Sequence, residues 1–145
     1  MRARATETRS GERGVAVVES ALTLLTFFVL LFGLMEGARF LSVQQMISNA
    51  AREGARFAVL PLAGTSTMPS DAEIQTRVQT YLDAAAISGA TVTVERPVLI
   101  PTTGVVGEYT RVSVILNYQP ISLAMFSDLS VTLSGESLMR DETSP

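Results

Sequence analysis

The longest apolar run of the chain lies near its N-terminus. Residues 15–35 are apolar, small or hydroxyl-bearing, and Glu19 is their single ionisable group. A helix of this length covers roughly 31 Å, which is close to the thickness of the hydrocarbon core of a bilayer. The pattern therefore predicts a transmembrane helix, which we place at residues 15–36.

The pattern changes after this run, but no proline interrupts it before Pro61. From residue 37 to residue 60, apolar positions recur every three or four residues, which is typical of an amphipathic helix. We therefore predict one helix over residues 15–60, about 69 Å long, whose second part is a stem that Pro61 ends. The apolar positions of the stem are Phe40, Val43, Ile47, Ala50, Gly54 and Phe57.

Residues 61–145 predict a small mixed domain. Ser70 and Glu73 have the spacing of a capping box, and an apolar stripe behind them predicts a second helix to about Ile87, with Gly89 as its stop. Alternating apolar residues then predict strands. The strand positions are Val92 and Val94, then Val112, Val114, Leu116 and Tyr118, then Val131 and Leu133 before Gly135, with Leu138 and Met139 as a possible continuation.

A loop with Pro101, Gly104 and Gly107 would let the first two strands pair as an antiparallel hairpin. Alternating strands have one face to bury, and the two helices are the partners for that face. We expect an α+β fold in which the long N-terminal helix and the second helix pack on a small antiparallel sheet.

The distribution of charge predicts the orientation in the membrane. Residues 1–14 have four Arg against two Glu, whereas the rest of the chain has seven Arg against twelve Asp and Glu. A basic segment before the first transmembrane helix stays in the cytoplasm. We therefore expect a cytoplasmic leader at residues 1–14 and an extracytoplasmic domain at residues 61–145. The scattered Arg residues of an acidic domain do not favour nucleic-acid binding.

Cysteine, histidine and tryptophan are absent from the sequence. Without histidine, the commonest general base near neutral pH and the commonest metal ligand are missing. Asp71 and Glu73 are the closest carboxylate pair before the C-terminal tail, and a helix cap explains both. We expect no enzyme, metal, cofactor or small-molecule substrate; a tethered enzyme using only Asp, Glu, Ser or Tyr is the least favoured alternative.

Glu19 is unusual for a plain membrane anchor. Thirteen of residues 15–35 are Leu, Phe or Val; each favours insertion by roughly 0.3–0.6 kcal/mol, so together they outweigh the cost of about 3 kcal/mol for one charge. The helix can therefore insert despite Glu19, but this balance of free energies gives no reason for a carboxylate at position 19. If the chain were cut between Gly14 and Val15, the new α-amino group would lie one helical turn before Glu19, at the i, i+4 spacing.

This spacing resembles the class III signal of type IV pilins and pseudopilins, in which a prepilin peptidase cuts after Gly and leaves Glu at position five. A secretory signal peptide is the weaker interpretation, because Glu36 and Arg39 stand where its cleavage site should be. The resemblance implies cleavage between Gly14 and Val15. It also implies that Glu19 pairs with the new amine during processing and assembly.

A second resemblance is more specific. The sequences EGAR at residues 36–39 and NAAREGARFA at residues 49–58 are similar to the helix of TadE-like pseudopilins of Flp (tight adherence) pili. The match covers about residues 11–60 and, less distinctly, residues 134–142. It implies a type IV pilin-like fold and a minor pilin or pseudopilin of the inner membrane that works in pilus assembly, adhesion or a related secretion apparatus.

The expected partners are the membrane, prepilin peptidase, other pilin subunits and the pilus assembly platform. Gly33 and Gly37 have the spacing of a helix-packing motif. The alternative function is a permanently anchored single-pass protein with an extracytoplasmic binding domain. The residues that the sequence offers for subunit contacts are Gly33, Gly37, Arg39, Arg52, Glu53 and Arg56.

Overall fold

The computed structural model describes residues 7–62, 67–102, 105–120 and 130–140, with the backbone alone at 7–13, 99–102 and 105–107. Two helices precede three strands, which form one antiparallel sheet in the order β1-β2-β3. The predicted α+β class is confirmed. The elements are α1 (Glu7–Ala58), α2 (Asp71–Ala84), β1 (Thr91–Thr102), β2 (Val105–Tyr118) and β3 (Val131–Arg140).

Helix α1 contains the predicted transmembrane segment and stem, but its bounds differ from the prediction at both ends. It begins at Glu7, inside the predicted leader, because no proline precedes Val15 to stop it. It ends at Ala58, two residues before the predicted end. A proline disfavours the α conformation of the residue before it, so Pro61 prevents the helix from continuing through Leu60.

The chain divides into two compact units, Met1–Ala38 and Arg39–Pro145. In the first unit, the apolar side chains from Val15 to Met35 are exposed along α1. None of the described side chains of this unit covers them, as expected of a surface made for lipid or for other helices.

The second unit has one core between the helices and the sheet. The stem of α1 contributes small and apolar residues, α2 contributes its apolar stripe, and the sheet contributes alternate residues of β2 and β3. The predicted packing of the sheet on both helices is confirmed. The buried residues are Ile47, Ala50, Ala51, Ala55, Ala58, Ile74, Val78, Leu82, Ile87, Val112, Val114, Leu116, Tyr118 and Leu133.

Two glycines allow backbones to approach closely in this core. A Cβ atom on Gly54 of α1 would overlap the Val78 side chain of α2 and lie 3.1 Å from Val112 Cγ1. A Cβ atom on Gly135 would lie 2.9 Å from the carbonyl oxygen of Ile47. Gly135 lies inside β3, which continues through Leu138 and Met139 as the sequence allowed. Because α1 passes directly over Gly135, a side chain at this position would meet the helix backbone.

Helix α2 begins as the sequence predicts. Ser70 Oγ accepts a hydrogen bond from the Glu73 backbone N–H, and the Ser70 N–H donates to Glu73 Oε2 over 2.8 Å. This is the expected capping box.

The predicted end of α2 is wrong. The helix ends at Ala84, and the left-handed residue is Ala86, with φ of 56°, rather than Gly89. The N–H groups of Ala86 and Ile87 donate to the carbonyls of Asp83 and Leu82, which is a Schellman motif formed without glycine.

Pro101 and Gly107 of the predicted loop lie in paired strands, and Gly104 lies outside the described residues. β1 continues to Thr102 and β2 begins at Val105, with Thr102 opposite Val105. Because β1 is an edge strand, it tolerates Pro97, and its register shifts between Glu95 and Val98. β2 is the central strand and supplies most of the buried sheet residues.

Candidate functional site

The predicted processing residues lie together on one exposed stretch of α1. Gly14, Val15 and Glu19 are all exposed. A Cβ atom on Gly14 would meet nothing within 4 Å. The peptide bond between Gly14 and Val15 lies inside the helix, so a peptidase would have to unwind this turn. Glycine lowers that cost, since it is about 1 kcal/mol less favourable than alanine in a helix.

The neutral polar side chains of the apolar stretch are satisfied within the helix. Ser20 donates to the Ala16 carbonyl over 2.8 Å, and Thr23 and Thr26 donate to the carbonyls of Glu19 and Leu22 over 2.9 Å each. Such bonds let hydroxyl groups enter a bilayer without unpaired donors. Among the described side chains, the Glu19 carboxylate has no such partner, so it is the polar group of this stretch that still needs one.

Gly33 and Gly37 leave open space on the surface of α1. Both are exposed, and a Cβ atom on either would meet nothing within 4 Å. Their spacing therefore allows another helix to approach. Contact with a second helix stays a prediction.

Glu53 joins the stem of α1 to α2. Its Oε1 lies 3.1 Å from Arg77 Nη2, and its Oε2 lies 3.3 Å from Arg56 Nη2. The hydrogen bond from Arg77, opposed by partial burial and helped by Arg56, holds the pKa of the Glu53 carboxyl below its ordinary value of 4.5. Within one chain these residues therefore orient α2 on the stem. The sequence pattern pairs Glu53 with Arg56 and gives no sign of Arg77, which is 24 residues from Glu53.

Arg39 and Arg52, also proposed for subunit contacts, have different surroundings. The Arg39 guanidinium lies 5.4 Å from the centre of the Tyr118 ring at the end of β2. Arg52 is exposed beside Gln45, Ser48 and Asn49, and it has no ion pair with the described residues. Of the predicted contact residues, Gly33, Gly37 and Arg52 are therefore the ones left most open to a partner.

Asp71 and Glu73 act as the sequence predicts, in the first turn of α2. The hydrogen bonds from Ser70 hold the pKa of Glu73 below its ordinary value. Asp71 also forms an ion pair with Arg96 of β1, in which Arg96 Nη2 lies 2.5 Å from Asp71 Oδ1. The same Nη2 donates a hydrogen bond to the Pro69 carbonyl oxygen over 2.7 Å. The two carboxylates are thus committed to the start of α2 and to its attachment to the sheet.

A further arginine forms ion pairs with both outer strands, on the face of the sheet that points away from the helices. In β2, Arg111 Nη1 lies 3.1 Å from Glu95 Oε2 of β1. Arg111 Nε lies 2.8 Å from Glu136 Oε1 of β3. Cross-strand charge pairs of this kind contribute to sheet stability. Within the described part of the chain, no group of three His, Cys, Asp or Glu residues lies close enough to hold a metal ion.

Comparison with known proteins identifies the same stretch of α1. Residues 14–56 match the sequence model of a family described as TadE-like protein. No curated protein and no solved structure matches the chain. Within the described residues, the helical segment Gly14–Ala58 is the one long and apolar enough to cross a membrane. Over residues 14–56, the chain is therefore similar to TadE-like proteins.

Proposed function

We propose that the chain is a minor pilin or pseudopilin that takes part in the assembly of a Tad (Flp, tight adherence) pilus or a related secretion apparatus. Residues 1–14 lie in the cytoplasm, α1 crosses the cytoplasmic membrane once, and the α+β domain lies outside. Prepilin peptidase cuts between Gly14 and Val15. The protein then works through packing, and catalysis belongs to the peptidase.

The observation that carries this proposal is where the family match begins. The TadE-like segment starts at Gly14, the residue before the proposed cut, and ends at Arg56 in the stem. The matched segment thus extends from the proposed cleavage position through the proposed transmembrane part to the residues that bury the stem in the domain.

Cleavage would give the Glu19 carboxylate a cationic partner. In the uncut chain its carboxylate is exposed on α1 among apolar side chains. A carboxylate in a low-dielectric environment is costly alone and far less costly when paired with an amine. Cleavage creates an α-amino group on Val15, at the i, i+4 spacing, and the same amine can pair with Glu19 of a neighbouring subunit.

Assembly would replace lipid contacts by contacts between helices. The exposed apolar side chains of α1 suit both environments, because lipid chains are as apolar as the side chains themselves. Partner choice then depends on close packing at small residues, of which Gly33 and Gly37 are candidates, and on the pairing of Glu19.

The experiment that tests this function is deletion of the gene in its own host, followed by complementation. We expect the deletion to reduce the number of pili seen by electron microscopy, and the wild-type chain to restore them. Unchanged piliation and surface adherence after deletion would contradict the proposal.

One observation favours the alternative of a permanently anchored binding protein. α1 is continuous from Glu7 through the bond between Gly14 and Val15, so the proposed leader is not a separate element. An uncut helix would serve equally well as an anchor. The two functions differ in the N-terminal residue of the protein extracted from membranes.

A further inference from the structure

One side of the stem carries a row of polar side chains that ends in an arginine. Gln44, Ser48 and Arg52 follow one another at intervals of four residues, so they lie along one face of α1. Gln44 Nε2 donates a hydrogen bond to the Ser134 carbonyl oxygen of β3 over 2.9 Å. These three residues, which we call the α1 row, therefore lie on the side of the stem nearest β3.

A second polar row lies on α2 and ends in a carboxylate. Gln75, Gln79 and Asp83 also follow one another at intervals of four residues, and Gln79 Nε2 donates to Asp83 Oδ1 over 3.0 Å. Gln75 and Gln79 line a hollow together with Val92 of β1. These three residues of α2, which we call the α2 row, therefore lie on the side of that helix nearest β1.

The two rows lie on opposite sides of the folded unit. β1 and β3 are the outer strands of the sheet, with β2 between them. Where the two helices face each other, Arg77 contacts Glu53 and Phe57 instead. The charges of Arg52 and Asp83 therefore point to different neighbours and do not meet within one chain.

Each row ends in a charge that the described part of its own chain does not neutralise. Arg52 and Asp83 are both exposed, and neither forms an ion pair with the described residues. Asp83 also lies in the last turn of α2, which has no basic residue. A carboxylate is unfavourable at this negative end of the helix dipole, so a cation from outside the chain would stabilise it.

We propose that Arg52 of one copy of this chain forms an ion pair with Asp83 of the next copy, so that the α1 row of the first lies against the α2 row of the second. One chain supplies both charges on opposite sides, so each copy can contact two neighbours. Such a head-to-tail contact closes into a ring or continues as a filament. A second copy is therefore the partner that this charge pattern fits.

This inference rests on the function in pilus assembly proposed above, in which contacts between apolar helices hold the subunits together. An exposed ion pair adds little to the free energy of association by itself. It does decide which surfaces meet, because other registers leave the charges unpaired or bring like charges together. The pair of Arg52 and Asp83 would therefore set the orientation of neighbouring copies.

Cysteine cross-linking in membranes of the host tests this contact, because the full chain has no cysteine of its own. One tagged copy carries Asn49→Cys, and a differently tagged copy carries Thr80→Cys. Both positions are exposed and lie three residues before Arg52 and Asp83, so the ion pair itself stays intact. A short bifunctional maleimide then joins the two copies where the rows meet.

We expect a cross-linked product between positions 49 and 80, and several-fold less product between two copies that both carry cysteine at position 49 or both at position 80. Arg52→Glu or Asp83→Arg, introduced into both copies, should lower the yield between 49 and 80 several-fold. The two substitutions together should restore it, because they exchange the charges. Equal yields for the three cysteine combinations would overturn the head-to-tail contact.

Two results would overturn the ion pair even if the copies cross-link. One is a double substitution that fails to restore the yield. The other is a loss with Arg52→Glu while Asp83→Arg has no effect, which would show that another protein supplies the carboxylate.

The deletion experiment separates this contact from the proposed function. Pili that are lost on deletion, without a cross-link between positions 49 and 80, would overturn the contact and leave the function intact. A cross-link that the charge exchange controls, in a host whose pili survive the deletion, would support the contact and contradict the function.

Discussion

Glu53 of the stem and Arg77 of α2, which are 24 positions apart in sequence, form an ion pair over 3.1 Å that links the two helices. The Arg77 guanidinium also lies 5.9 Å from the ring centre of Phe57. One arginine thus contacts both a carboxylate and an aromatic ring of the stem. These contacts set how α2 sits on α1 in the folded unit.

We predict that Arg77→Ala lowers the free energy of unfolding by about 0.5–1 kcal/mol, which is the range for a solvent-screened ion pair with some lost stacking. Thermal unfolding of the full chain in detergent, followed by circular dichroism, measures the change. Arg52→Ala is the matched control, because Arg52 is an exposed arginine of α1 without an ion pair to the described residues. Equal effects of the two substitutions would contradict the role of Arg77.

The same contact predicts a dependence of stability on pH. Arg77 lowers the pKa of folded Glu53 below 4.5, so the unfolded chain binds a proton there more readily than the folded chain. The stabilisation is present above about pH 4.5 and is lost as the pH falls through the folded pKa. The difference in melting temperature between the wild type and Glu53→Gln should therefore shrink below about pH 4.5. A difference that stays constant from pH 7 to pH 3 would show that the charge of Glu53 does not stabilise the fold.

Ala86 occupies the left-handed position that ends α2, with φ of 56°. This conformation costs a residue with a Cβ atom about 1–2 kcal/mol, and glycine avoids the cost. We predict that Ala86→Gly raises the free energy of unfolding by about 1 kcal/mol. Ala84→Gly, two residues earlier inside the helix, should lower it by roughly 0.5–1 kcal/mol. The same sign for both substitutions would contradict the assignment of the Schellman motif.

Gly135 lies where α1 crosses β3. A Cβ atom would lie 2.9 Å from both the carbonyl carbon and the carbonyl oxygen of Ile47, so the helix backbone itself would have to move. We predict that Gly135→Ala destabilises the folded unit by about 1–3 kcal/mol, as overpacking does in other cores. Ser134→Ala, one residue earlier and exposed, should change stability by less than about 0.5 kcal/mol. Unfolding by denaturant measures both, and a neutral Gly135→Ala would show that α1 does not press on this strand.

The sequence predicts well those elements whose signals are local. The capping box of Ser70 and Glu73 and the alternation from Val112 to Tyr118 depend on neighbours along the chain, and both are confirmed. The roles of Ala86 and Gly135 depend on distant contacts. Ala86 is left-handed because Ile87 is held in the core, and Gly135 is needed because α1 passes over it.

In the candidate site too, the sequence predicts local features and misses contacts between residues that are distant along the chain. The spacing of Gly14 and Glu19 is local, and the sequence alone identifies it. Arg77, Arg96 and Arg111 hold the domain together through ion pairs between different elements. Because those pairs form only after the elements pack, spacing along the chain cannot show them.

Processing and assembly should respond to different substitutions. Gly14→Ala adds a methyl group at the proposed cleavage residue and favours the helix by about 1 kcal/mol, so we predict an uncut precursor on immunoblots of membranes. Glu19→Ala should still be cut and should assemble poorly, because the new amine has lost its partner. Normal piliation with Glu19→Ala would remove the pairing role.

We propose that the working chain begins at Val15. The most direct measurement is N-terminal sequencing of the protein extracted from membranes of cells with active prepilin peptidase. We expect a chain that starts Val15-Ala16-Val17, with the precursor start restored when the peptidase is inactive. A chain that keeps Met1 in the presence of active peptidase would contradict cleavage between Gly14 and Val15 and favour the permanent anchor.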